Sequence, residues 1–167
     1  MAGLCQRARA PRLAGNNSTR ARPNQHEPDQ NRDVRSFRWC HDHGIKVATD
    51  TGFHHAITRA IMDGLGWLRD GLVDVSVDVE DVPGERGRPA PFMIFHAMEK
   101  LDVQNVQEVI KIGDTPADML EGTNAGCRGV IGVLSGPRPV TAWGCYRHTY
   151  VIPSVKELPK LIEPEFS

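Results

Sequence analysis

Short β-branched runs alternate with helical segments along most of this 167-residue chain, and that alternation limits the fold more than any other feature. "IKVATDTG" (45–52) reads as a strand running into a turn, and "GLVDVSVDVED" (71–81) alternates Val with Asp or Ser at the strand period of two. "EVIKIGD" (108–114) and "GVIGVLSG" (129–136) are further apolar strands. Between them lie helical stretches. "HHAITRAIMDGLGWL" (54–68) sets Ile57, Ile61 and Leu65 four apart on one helix face. "APFMIFHAMEKL" (90–101) has Pro91 at its start, and "PADMLEGTNAG" (116–126) runs from Pro116 to a terminating Gly126. "SFRWCHDHG" (36–44) is a helix end stopped by Gly44, and "TYVIPSVKELPKLI" (149–162) gives a last strand with Ser154 capping a closing helix. β and α elements of this length, in this order, predict an α/β fold with a mainly parallel sheet.

Residues 1–35 differ from the rest. They are rich in Arg, Asn, Pro and Gln, have no apolar periodicity, and carry no acidic residue before Glu27. Such a stretch buries too little surface to offset its ordering entropy, so a disordered tail over 1–35 and a folded region over 36–167 are expected. An organelle transit peptide fits less well. Net charge is −1, which gives no positive field for general nucleic-acid binding. Cys5, Cys40, Cys127 and Cys145 are widely spaced, with no C-x-x-C pair and no secretory apolar stretch, which fits reduced thiols in the cytoplasm. No apolar run approaches the length of a membrane span.

In parallel α/β sheets, ligands bind at the carboxyl ends of the strands. Thr51, Arg88, Asp114 and Asp118 all fall at such ends. Each has a plain structural reading: Thr51 as a helix cap, Arg88 as a solvated loop residue, Asp114 as an N-cap ahead of Thr-Pro. Gathered on one edge, they are instead the parts of a phosphate site. The Thr51 hydroxyl and the Gly52 N–H would donate to phosphoryl oxygens, and the Arg88 guanidinium would neutralise the anion. The two acids would hold a hard cation such as Mg²⁺.

"GIKVATDTGF", "GRPAPFMIFHAM" and "IKIGDTPADMLEGTNAG" resemble the second, third and fourth motifs of the haloacid dehalogenase superfamily. They are most similar to its phosphonatase-like branch, which includes the phosphonoacetaldehyde hydrolases, and "GRPAP", with Arg in place of the usual Lys, is the most specific cue. The resemblance runs from about residue 36 to 163. It implies a Rossmann-like three-layer sandwich, Thr51 as the phosphate-binding hydroxyl, Arg88 as the charge-neutralising residue, Asp114 as a direct Mg²⁺ ligand, and Asp118 holding the metal or one of its waters.

The superfamily's first motif, a strand ending in Asp-x-Asp or Asp-x-Ala whose first Asp is the nucleophile, has no match before Thr51. Asp29, Asp33 and Asp42 lie in polar or helical surroundings. The helical cap and its Schiff-base lysine are also unmatched, since Lys46 sits at the start of the second-motif strand. Phe92 and Asp50 depart from common family residues without touching the inferred roles. His41, His43, His54 and His55 form a rival cluster for Zn²⁺, read here as surface histidines because His54 and His55 diverge around a helix.

The expected function is therefore a phosphonatase-like, Mg²⁺-dependent hydrolase of a small phosphonate or phosphate ester, working through an aspartyl-phosphate and impaired by the unmatched nucleophile. The alternative is a non-catalytic remnant or a domain that binds a phosphorylated ligand or a partner. Expected partners exclude nucleic acid and membrane and leave homodimerisation open. A dinucleotide-binding domain is disfavoured because no G-x-G-x-x-G follows a strand, and a receiver-like domain because no phosphorylatable aspartate ends one.

Overall fold

The computed structural model of the chain describes residues 30–136 and 143–163. Of the expected tail over residues 1–35, residues 1–29 lie outside the described residues. Helix α1 (Gln30–Asp42) begins inside the stretch assigned to that tail and ends ahead of Gly44, whose φ of 70° suits a residue without Cβ. It faces inward with Ser36 and Cys40, one helical turn apart.

Strands β1 (Ala48–Thr51) and β2 (Val75–Asp78) pair in parallel, joined through α2 (His55–Leu65). Helix α3 (Phe92–Lys100) follows, then β3 (Ile110–Gly113), α4 (Pro116–Ala125), β4 (Gly129–Val133), β5 (Tyr150–Ile152) and the short α5 (Leu158–Ile162). The order matches the alternation read from the sequence. β3, β4 and β5 form a second parallel sheet with β4 in the middle. All described strand pairs are parallel, and the two sheets share no ladder.

Strand period places the core. On β4, Ile131 and Val133 pack with Cys40 of α1, Ile152 of β5 and Leu158 and Ile162 of α5. Val130 points the other way, against Met119 of α4 and Trp143. Every residue of β4 is buried, as a parallel strand covered on both faces should be. On the smaller sheet, Val77 packs with Val82 and with Met93 and Ala97 of α3. The result is an α/β fold with parallel strands layered between helices. Among the described residues, no helix is long and apolar enough to cross a membrane.

α4 shows why its sequence starts and stops where it does. Thr115, not Asp114, is the N-cap: its hydroxyl faces the Asp118 N–H, and the Asp118 carboxylate accepts from the Thr115 N–H at 3.0 Å. Pro116 occupies the first turn and Gly126, at φ 80°, closes the helix. α2 is turned unexpectedly. Thr58 and Met62 are its buried residues, whereas Ile57 and Ile61 face solvent. Thr58 can sit inward because its hydroxyl donates to the His54 carbonyl at 3.3 Å.

Candidate functional site

Four loops and helix starts meet where the strands end. Thr51 closes β1 and pairs in register with Asp78 at the end of β2. Its hydroxyl accepts from the Phe53 N–H at 3.2 Å, holding the turn that carries Gly52. Arg88 comes from the loop before α3, which is tied to α4 by Asn124 Nδ2 donating to the Pro89 carbonyl at 2.9 Å. A Cβ on Gly52 would lie 3.8 Å from Arg88 Nη2, so the guanidinium reaches the β1 turn. Neighbouring Arg86 stacks over the Phe92 ring at 3.7 Å, which explains an apolar residue there.

Arg88 Nη1 donates to Asp118 Oδ1 at 2.5 Å. Asp118 Oδ2 accepts from the Thr115 hydroxyl at 2.5 Å as well as from its N–H. Burial pushes the Asp118 carboxyl up, but Lys111, the Thr115 hydroxyl and Arg88 together hold it below the ordinary carboxylate range. Gly113 is needed beside it, because a Cβ there would come within 2.2 Å of the Asp118 carboxyl carbon. Asp114 follows β3 directly and rests against Gly136, where a Cβ would lie 2.4 Å from Asp114 Oδ2.

Lys111 and Glu121, which the sequence reading left out, and Asp50, which it set aside as without bearing on the site, complete the network. Lys111, in the middle of β3, is buried and reaches Asp50 Oδ1 and Oδ2 of β1 at 2.6 and 2.5 Å. Its ammonium also faces Glu121 Oε2 at 2.6 Å and Asp118 Oδ1 at 3.5 Å. The Glu121 contact is an ion pair off hydrogen-bond alignment, so the buried carboxylate lacks a well-formed hydrogen bond. Burial pushes Glu121 up to about 7 despite the opposing pull of Lys111. Asp50, Asp118 and Glu121 form a group whose oxygens could share one cation, and Lys111 sits against all three. A lysine inside an apolar strand was the available signal, because a buried ammonium needs carboxylates around it.

Gly52, Arg88 and Asp118 are thus brought together, with Thr51 at the turn and Asp114 beside the Asp118 cradle. Asp114 and Asp118 are oxygen donors, the type a hard cation takes, and Asp118 holds Arg88 through Oδ1 and Thr115 through Oδ2. Asp114 lies outside the three-acid group. The four histidines do not converge: His41 meets Asp74 at 3.0 Å, and His55 meets Asp78 at 3.0 Å. Lys46, two residues ahead of β1, donates to the Leu101 carbonyl. Asp42 ends α1, and among the described residues no strand precedes β1.

Residues 29–126 match a model of the haloacid dehalogenase-like hydrolases. Over 145 residues the chain is 30% identical to a phosphonoacetaldehyde hydrolase of Parabacteroides distasonis, covering 73% of this chain and 53% of that protein. Over 84 residues it is 43% identical to one from Latilactobacillus sakei, covering 50% and 31%. The solved structure of a phosphonoacetaldehyde hydrolase-like protein from Oleispira antarctica superposes with a TM-score of 0.61 at 25% identity, covering 78% and 54%. The chain spans about half, or less, of the length of these relatives. The chain belongs to the haloacid dehalogenase-like hydrolase family.

Proposed function

We propose that this chain carries the phosphoryl-binding part of a phosphonatase-like site, for a small phosphonate or phosphate ester of the phosphonoacetaldehyde class. The reading is supported above all by Arg88, which stands between the β1 turn and the acid-lined start of α4. Thr51 and the Gly52 N–H donate to phosphoryl oxygens, and Arg88 swings from Asp118 to the bound anion. Asp114 and Asp118 would hold Mg²⁺, whose charge would offset that of the phosphoryl oxygens. In-line attack at phosphorus needs a further carboxylate that these residues do not supply, so the chain alone is expected to bind but scarcely turn over. The buried Cys40 thiol and the separated Cys127 and Cys145 suit a reducing compartment such as the cytoplasm.

Among the described residues no strand ending in a carboxylate precedes β1, which favours a second reading, in which the domain only binds phosphorylated ligands or a partner. Titration with inorganic phosphate in the presence of Mg²⁺ tests the site that both readings share. Saturable binding should weaken at least about tenfold in Arg88→Ala and less in Thr51→Val. Binding indifferent to Arg88→Ala would remove the site.

A further inference from the structure

The strongest unexplained surface lies on α2. Phe53, Ile57, Ile61 and Leu68 are 51%, 49%, 42% and 44% exposed, and the first three recur every four residues along one side of the helix and its entry. Single exposed apolar residues are ordinary, but a continuous stripe of large ones marks a contact surface. The stripe is exposed because α2 turns Thr58 and Met62 inward.

The outward side of α2 has three parallel rows. Ala56, Ala60 and Gly64 run along its crest, spaced four apart. Ile57 and Ile61 form one shoulder, with half-buried Leu65 at its margin. Arg59 and Asp63, both exposed, form the other shoulder. Small residues on the crest let a second helix come close, and the aliphatic shoulder supplies the area to bury.

We propose that this face is a self-association surface, on which two copies of the chain pack α2 against α2 in antiparallel fashion. The occupant follows from charge. A twofold axis through Ile61 sets Ile61 against its own symmetry mate and Ile57 against the partner's Leu65. The same axis keeps each shoulder facing its equivalent and reverses its direction, so Arg59 meets the partner's Asp63, twice. A parallel pair would face the aliphatic shoulder with the charged one. The α2 sequence is therefore self-complementary only in the antiparallel arrangement, as an isologous interface requires.

Sedimentation of the full chain over about a hundredfold range of concentration reads the association. Wild type should shift from monomer to dimer as concentration rises, and Ile61→Arg should stay monomeric while keeping its circular dichroism spectrum. Arg59→Asp alone, or Asp63→Arg alone, should weaken association about tenfold, and the double swap should restore it. These residues are solvent-facing, so folding should survive each change. A wild type that stays monomeric throughout would overturn the proposal. So would a dimer indifferent to Ile61→Arg, or a double swap no better than either single one.

Discussion

Arg88 Nη1 and Asp118 Oδ1 are 2.5 Å apart, so the guanidinium and the buried acid expected to flank a phosphoryl group are closed on each other. An anion must compete with Asp118 for Arg88. In metal-free buffer, Asp118→Asn should therefore raise phosphate affinity about tenfold, because a neutral amide holds the guanidinium less strongly. Isothermal titration of the two proteins checks this. Equal or weaker binding by Asp118→Asn would mean that the pair does not guard the anion site.

Lys111 is the interior counter-ion for Asp50, Asp118 and Glu121. Lys111→Met keeps much of the chain volume but leaves three carboxylates with oxygens within 4.8 Å of one another facing one fewer cation. The expected loss is about 3–5 kcal/mol in urea unfolding, because breaking a buried pair strands its partners. Mg²⁺ or Ca²⁺ should recover part of that loss in the variant and have a smaller effect on wild type. A variant as stable as wild type would contradict the role given to Lys111.

Much of this was legible in the sequence, and the omissions share a cause. Alternating periods gave the strands and helices in their right order, and Pro116 and Gly126 marked the ends of α4. Local pattern does not show which distant side chains meet. Asp50 and Lys111 are 61 residues apart, and each reads locally as a polar residue in a strand. Glu121 looks like an ordinary helix acid until the fold turns that face of α4 onto β3. α2 shows the opposite effect: its apolar spacing identified a helix face correctly, but not which way tertiary packing would turn it. Arg88 and Asp118 were legible singly, while their direct contact was not.

Glu121 should make stability pH-dependent. Its folded-state pKa is about 7 against an ordinary 4.5, so the folded chain retains a proton that the unfolded chain releases. Its effect on stability is therefore most favourable below about pH 4.5, and declines as pH rises through about 7. Asp118, held below its ordinary value, acts in the reverse sense, and its stabilisation is lost as pH falls below the usual carboxylate range. The comparison with Glu121→Gln isolates the Glu121 share. The unfolding free energy from urea titrations should fall between about pH 5 and pH 7.5 by up to about 2–3 kcal/mol more in wild type than in Glu121→Gln. Parallel profiles for the two proteins would contradict the assignment.

Gly122 lets α4 approach the sheet. A Cβ there would lie 2.8 Å from Lys111 Cβ and 3.0 Å from Val130 Cγ2. Gly122→Ala gains about 1 kcal/mol in helix propensity but crowds the side chain that holds the ion network. Overpacking should win, for a net loss of about 1–2 kcal/mol in thermal or urea unfolding. A stabilised variant would show that α4 can move outward without cost.

The central claim is that the edge formed by Thr51, Gly52, Arg88, Asp114 and Asp118 binds a phosphoryl group without an attacking carboxylate of its own. The most direct measurement is a phosphorus NMR time course of phosphonoacetaldehyde with the purified chain and Mg²⁺, because one spectrum reports both binding and release of inorganic phosphate. The account predicts substrate line broadening that Arg88→Ala removes, with no more than trace phosphate formed. Phosphate release at ordinary enzyme rates, abolished by Asp114→Ala, would contradict it and show that the chain supplies a nucleophile of its own.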